Sequence, residues 1–305
     1  MQEKQLDKES MKGTIYVLLS AVCFSTGGVL IKSIPWSSIT IQGIRSIFSF
    51  MLIASYMVIT KRKFVWNKTV LFGAVCNTVM ALTFVSATKM TTAANAIVLQ
   101  FTEPIFVILL MWALYKKKPK KAAVVACAVV FAGILCFFLD SLSAGGMAGN
   151  LLAVFSGFTY ALVMMMKGFP GADFESSLLA SHVISLSIGL PSFLGETDHS
   201  AKAWICIILL GVIQFGLSYI FLSRGLDRVS PVTASLTSTL EPILNPILVA
   251  IFCGETIGRT AVIGAVLVIG AAACYNVYEA AIRIKVIPAS KYMMLKPNSA
   301  SQHGG

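Results

Sequence analysis

The sequence predicts an all-α integral membrane protein, with about ten transmembrane helices in two inverted five-helix repeats. Three observations predict it: an apolar excess, apolar runs of bilayer length between short charged loops, and a Glu-Pro motif that returns in matching surroundings in the second half. Of 305 residues, 57% are hydrophobic and 12% charged. Soluble domains hold about 25% charged and about 45–50% apolar residues. A chain this apolar would expose large greasy patches to water, whereas a bilayer accepts them as solvent.

A helix rises about 1.5 Å per residue, so a hydrocarbon layer of about 30 Å takes some 20 residues. Runs of that length fall at 13–31, 38–60, 69–88, 92–114, 122–139, 148–167, 175–194, 203–223, 232–253 and 260–282. The first follows a charged segment and is long enough to span. With no A-x-A cleavage site after it, it reads as a retained helix rather than a signal peptide. The seventh is the least apolar, with Glu175, His182 and Pro191. The expected organisation is an N-terminal cytoplasmic segment (1–12), a first repeat (13–139), a linker (140–147), a second repeat (148–283) and a disordered cytoplasmic tail (284–305).

The formal net charge of +11 follows the same alternation. Nineteen of the 24 Lys and Arg lie in the N-terminal segment, in every second loop or in the tail, including the Lys116–Lys121 cluster. The alternate loops hold only Lys32, Lys89, Lys202 and Arg259. This asymmetry predicts both termini in the cytoplasm, and the expected location is a bacterial-type plasma membrane, as a multi-pass protein. It assigns the Lys clusters to anionic lipid and argues against nucleic acid. The seven Cys lie in or at the ends of apolar runs, the three His are scattered, and neither set has metal-ligand spacing. No cofactor is expected. Trp36, Trp66 and Trp204 near span ends read as interfacial anchors, Gly27, Gly28, Gly264 and Gly270 as points of close helix approach, and Met164 to Met166 as packing.

The internal repeat carries the functional argument. Thr102-Glu103-Pro104-Ile105 returns as Leu240-Glu241-Pro242-Ile243, 138 residues on. At that offset Gly73 meets Gly211, Ala87 meets Gly225 and Ala96 meets Ala234; at 136 Gly13 meets Gly149 and Ser20 meets Ser156. Five spans separate equivalent points, and five is odd, so the second copy is inverted. Inverted repeats rocking about a midplane site are the architecture of secondary transporters.

Charged groups inside a span cost about 2.5–3.5 kcal/mol on insertion scales, so they should face protein or a wet cavity. The clear cases are Glu103, Glu241 and Arg45, with His182 as a titratable fourth. Helical spacing sets them in polar stripes: Gln100 and Glu103; Thr237 or Ser238, Glu241 and Asn245; Asn77; Gln214 and Ser218; Ser20 and Phe24; Ser156 and Tyr160. The candidate substrate-binding residues are Asn77, Gln100, Glu103, Tyr160, Gln214, Ser218, Thr237, Glu241 and Asn245. Each Glu has two readings: a substrate ammonium or proton site, or a polar pocket beside the kink that Pro104 or Pro242 imposes. Arg45 would attract a substrate carboxylate, or would snorkel to the surface or pair with a Glu. His182 aligns with Arg45 at an offset of 137, which makes the two charge or gating candidates.

These residues resemble the drug/metabolite transporter superfamily, EamA type, over roughly 13–282. The most specific part is an Ala-rich helix start followed by the Glu-Pro motif and a Gly-bearing last helix, at Ala93–Gly133 and Ala234–Gly270. The second copy has the family's Gly254-Glu255 turn; the first has Tyr115-Lys116-Lys117 there. The resemblance implies ten helices, a cavity between the first, third and fourth helices of each repeat, and export or exchange of amino acids or related metabolites. A small-molecule substrate and protons are the expected partners besides lipid. The alternative is a passive channel or facilitator. No G-x-x-x-x-G-K-[ST] motif occurs, and the chain shows no catalytic constellation at a membrane surface, so an enzyme is not expected.

Overall fold

The computed structural model describes residues 2–116, 118–141, 146–253 and part of 259–282. The Gly254-Glu255 turn and the expected tail at 284–305 lie outside the described residues.

The helices are α1 (Gln2–Phe24), α2 (Gly27–Ser33), α3 (Ser38–Ile59), α4 (Lys68–Met90), α5 (Ala93–Gln100), α6 (Glu103–Tyr115), α7 (Lys121–Ser141), α8 (Met147–Met165), α9 (Phe174–Phe193), α10 (Ala201–Leu209), α11 (Ser218–Leu226), α12 (Pro231–Ser238) and α13 (Glu241–Cys253). A π-helical segment, Leu210–Leu217, joins α10 to α11. Eight of the described helical stretches are long and apolar enough to cross a membrane. To these the described residues add α7 and helical positions within 259–282.

Starts are set by side-chain caps. Ser37, Asn67, Thr92, Asp173, Ser200 and Ser230 each accept a hydrogen bond from the backbone N–H three residues on, satisfying a donor that the first turn leaves open. At the two Glu-Pro sites the chain breaks rather than merely kinks. Phe101-Thr102 separates α5 from α6, and Thr239-Leu240 separates α12 from α13, so each span is two half-helices. Pro104 and Pro242 fit there because the first turn of a half-helix needs no backbone donor at those positions.

Helices that correspond in the two halves run in opposite directions. α3 and α9 carry the equivalent residues Arg45 and His182. Ser37, at the start of α3, bonds Ser192 at the end of α9 (3.0 Å), while Arg62, just past the end of α3, reaches Glu175 at the start of α9 (2.5 Å). α1 likewise lies along α11, and α4 along α8, so the first helix of each half packs on the third of the other. The antiparallel pairing is what two copies of opposite orientation require.

α3 and α9 cross at backbone contact. A Cβ on Gly43 would lie 2.6 Å from the Gly189 Cα, and one on Gly189 would lie 2.5 Å from the Gly43 Cα. Neither obstacle is a side chain that could turn aside. Gly43→Ala or Gly189→Ala is therefore expected to cost about 1–3 kcal/mol of overpacking, measurable as a lower melting temperature in detergent.

Two expectations need correction. Trp36 is 2% exposed and packs on Phe193 and Trp204, so it belongs to the core and not to the interface. Gly270 has nothing within 4 Å of an added Cβ among the described residues, so none of them approaches it closely. Trp66 is exposed, and Met164, Met165 and Met166 are buried as packing. Two apolar clusters fill the bundle, one around Trp36, Ile41, Ile97 and Ile207, the other around Met57, Met164, Phe174 and Leu222.

Candidate functional site

Arg45 anchors the polar layer. It is 1% exposed, so it does not snorkel, and no carboxylate among the described residues pairs with it. Its Nε donates to Gln42 Oε1 (3.0 Å), Nη2 donates to the same oxygen, and Nη1 donates to Gln214 Oε1 (3.1 Å). Gln42 is itself oriented by donating Nε2 to Ser185 Oγ (3.0 Å). The guanidinium lies over the Phe215 ring, 4.3 Å from its centre, a cation–π contact that strengthens away from water. A guanidinium has five N–H donors. Three are used, which leaves two for another acceptor.

The π-helical segment explains how one helix face supplies both Gln214 and Phe215. Its wider turn admits an extra residue and lets chain neighbours share a side. Both are buried against Arg45. The segment packs tightly on α3: a Cβ on Gly211 would meet Arg45 O at 2.6 Å. Ser49 Oγ donates to Gly211 O (2.7 Å), satisfying a carbonyl in the irregular stretch.

Across from Arg45, the second helix break presents Glu241 as the first residue of α13, at the positive end of the helix dipole. Arg45, Gln100, Tyr160, Gln214 and Glu241 line one small central cavity, with Phe24, Phe84, Phe215 and Tyr219 as its apolar walls. Its volume is about 20 Å³, room for about one water. The Tyr160 hydroxyl has no partner among the described residues although the residue is only 4% exposed. Gln100 Nε2 donates to Ser156 Oγ (2.7 Å), which in turn donates to Met80 O (3.0 Å).

The two glutamates are equivalent in sequence but not in surroundings. Glu103 is fully buried, is not among the residues that line the cavity although it interacts electrostatically with Glu241 and Tyr160, and accepts a hydrogen bond from Ser235 Oγ at Oε2 (2.6 Å). The residue 138 positions before Ser235 is Ile97, which has no hydroxyl to offer Glu241. Glu241 accepts no hydrogen bond from the described residues and borders the cavity instead.

Other expected site residues lie elsewhere. Asn77 Nδ2 donates to Ser181 Oγ (2.8 Å), between α4 and α9. Ser218 Oγ bonds back to Ile213 O and Gln214 O, and Thr237 Oγ1 to Thr233 O. Asn245 sits against Gly28, where an added Cβ would be 2.3 Å from its Oδ1, and its side-chain amide has no partner among the described residues. His182 packs edge-on to Phe215, 5.2 Å between ring centres, with both nitrogens unpartnered among the described residues. Gln42, Phe84, Phe215 and Tyr219 were not foreseen as site residues. Gln42 was findable, because a position three residues before a buried Arg shares its helix face.

Comparison with known proteins agrees with this architecture. The EamA-like transporter family matches residues 11–139 and again 147–277. An uncharacterized transporter of Archaeoglobus fulgidus is 22% identical over 259 residues, covering 84% of this chain and 93% of its own. The uncharacterized transporter YwfM of Bacillus subtilis is 28% identical over 281 residues, covering 84% and 92%. A solved crystal structure superimposes with a TM-score of 0.72 at 15% identity, covering 86% of this chain and 95% of its own, a likeness of fold. With both halves matched, the chain belongs to the EamA-like transporter family and is a multi-pass membrane transporter rather than an enzyme.

Proposed function

We propose that this chain is a secondary transporter, an exporter or exchanger, of small organic metabolites of the amino-acid type, moved by alternating access. The observation that carries the reading is that Arg45 and Glu241 border the same cavity without pairing with each other. A guanidinium with two free N–H groups suits a carboxylate, which it can take in a bidentate contact. An unbonded carboxylate suits an ammonium. Tyr160 and Gln100 add neutral polar contacts, and the aromatic walls suit a short side chain. A cavity of one-water size favours a carrier that must reopen over a standing pore, which counts against the channel alternative.

In this reading 13–139 and 148–283 are the moving halves and 140–147 their linker. Both termini face the cytoplasm of a bacterial-type plasma membrane. Lys116, Lys118, Lys120 and Lys121 meet anionic lipid, and protons serve as a coupling ion. Asn77, Ser218, Thr237, Asn245 and Glu103 support the site, while His182 holds on α9 the place that Arg45 holds on α3.

The test is counterflow in proteoliposomes with a matched panel: amino acids, the amines lacking their carboxylate, and the acids lacking their amine. The expected result is saturable exchange competed by the amino acids and by neither truncated set. Competition by the amines alone, or flux that does not saturate, would defeat this reading.

A further inference from the structure

We propose that the two mouths of this carrier are latched by different chemistry, an ion-pair latch centred on Arg62 and Glu175 at the end where α1 begins, and an aromatic latch centred on Trp36 at the other. The proposal rests on the carrier reading, in which each mouth must open in turn.

At the first end, charged groups from both halves converge. Arg62, after α3, pairs with Glu175 on α9 at 2.5 Å and approaches Asp227, after α11, at 4.0 Å. Glu175 is 2% exposed and also accepts from Ser223 Oγ (2.6 Å). Lys167, after α8, donates to Ser223 O (2.7 Å), to Ser223 Oγ (2.8 Å) and to Asp227 Oδ1 (2.5 Å). In this cluster Lys167, Glu175, Ser223 and Asp227 all belong to the second half. Among the described residues Arg62 is the charged group that ties them to the first, beside neutral hydrogen bonds such as Val65 N–H to Ser176 Oγ (3.0 Å). Arg228 and Glu9 make another ion pair between the halves nearby (3.1 Å).

The other mouth is closed without ion pairs between the halves among the described residues. Trp36, after α2, stacks edge-on with Phe193 and Trp204, 5.5 and 5.6 Å between ring centres. Its Nε1 donates to Asp198 O (2.6 Å), and the Ser37 N–H donates to Glu196 Oε1 (2.8 Å). The Asp198 carboxylate is turned to Ser200, whose backbone N–H (2.7 Å) and hydroxyl hold its pKa below the ordinary value. It caps a loop and bridges nothing.

The inverted repeat shows that this difference lies in the side chains and not in the backbone plan. Lys89 stands where the second half has Asp227, at an offset of 138, and Ser38 where it has Glu175, at 137. Lys32, close to the counterpart of Lys167, donates to the Thr91 carbonyl (3.2 Å), as Lys167 does to the Ser223 carbonyl. The fold repeats the basic residue, but the counterparts of Asp227 and Glu175 are not acids, and Glu196, the acid that Lys89 senses, accepts from the Ser37 N–H and makes no ion pair within 4.0 Å among the described residues. Salt weakens ion pairs that water reaches and leaves apolar contacts in place. Ionic strength therefore biases which mouth opens.

The experiment is hydrogen–deuterium exchange of the full chain in nanodiscs, read by mass spectrometry, which needs no substrate. Arg62→Gln should speed exchange about five-fold in 62–70 and 168–177 and leave 34–40 and 196–204 unchanged. Raising salt to about 0.5 M should do the same to the parent and add little to Arg62→Gln. Trp36→Ala should loosen only the opposite end, and Arg62→Glu with Glu175→Arg should restore protection. Should a variant misfold, the salt titration of the parent still decides. Equal loosening of both ends by salt, or none at 62–70, would overturn the latch. That result would leave the counterflow test of the transport reading untouched, and a failed counterflow would leave the exchange pattern readable.

Discussion

Arg45→Lys is expected to weaken substrate binding by about 100-fold while the protein still folds. The two side chains carry the same charge, so the loss isolates geometry. Arg45 commits three N–H groups to Gln42 and Gln214 and has two left. A lysine ammonium has three donors in all; holding Gln42 and Gln214 leaves it one, and it cannot present a planar fork. It also gives up the flat contact with Phe215, 4.3 Å away in the parent. A hydrogen bond to a charged partner is worth about 1.5–3 kcal/mol, and losing one with its alignment amounts to about 2–3 kcal/mol, near two powers of ten. Folding should survive, because the ammonium still satisfies both glutamines. Half-saturation in counterflow gives the first number and the melting temperature in detergent the second. Normal affinity in a folded Arg45→Lys protein would remove Arg45 from the substrate contact and leave it a structural tie between α3 and the π-helical segment.

Much of the fold was legible because its signals are long and local. Apolar runs of bilayer length need no partner to be recognised, and the Glu-Pro motif announces a kink in each span, where the structure has a break. The repeat supplied the inversion by counting alone. The site was legible as a list of costly residues and not as an arrangement. Arg45 was visible because a buried charge in a membrane is rare, but its companions were hidden in ordinary types. Phe215 reads as packing until a π-helical turn sets it beside Gln214, and nothing in the stretch Leu210–Leu217 announces such a turn. Trp36 reads as an anchor because Trp often lies at the interface; its burial depends on Phe193 and Trp204, more than 150 residues away. Asn77 and Ser218 fall on the expected polar stripes, yet their hydrogen bonds close between α4 and α9 or within their own helix. A polar stripe says that a face is shielded from lipid; whether it faces a cavity depends on the partner helix.

The second large effect separates the two glutamates, which the repeated Glu-Pro motif by itself does not. Glu241→Gln is expected to lower affinity for an ammonium-bearing substrate by about 10- to 150-fold, the equivalent of about 1.5–3 kcal/mol for one charge-assisted contact. Glu103→Gln is expected to leave exchange within about two-fold, since Glu103 lies outside the cavity and its bond from Ser235 Oγ needs only an acceptor, which a glutamine carbonyl supplies. Its stability should hold or rise, because a neutral amide in the same pocket avoids the desolvation of a buried charge. Glu103→Leu, by contrast, removes the acceptor and should lower the melting temperature without changing which solutes compete. The contrast follows from one substitution between the repeats: Ser235 has Ile97 as its counterpart, so one carboxylate is held by a hydroxyl and the other is left to border the cavity. Equal losses at the two positions would mean that both helix breaks serve the substrate alike, and the asymmetric site would have to be given up. A loss at Glu103 alone would reverse the assignment and place the ammonium on the first break.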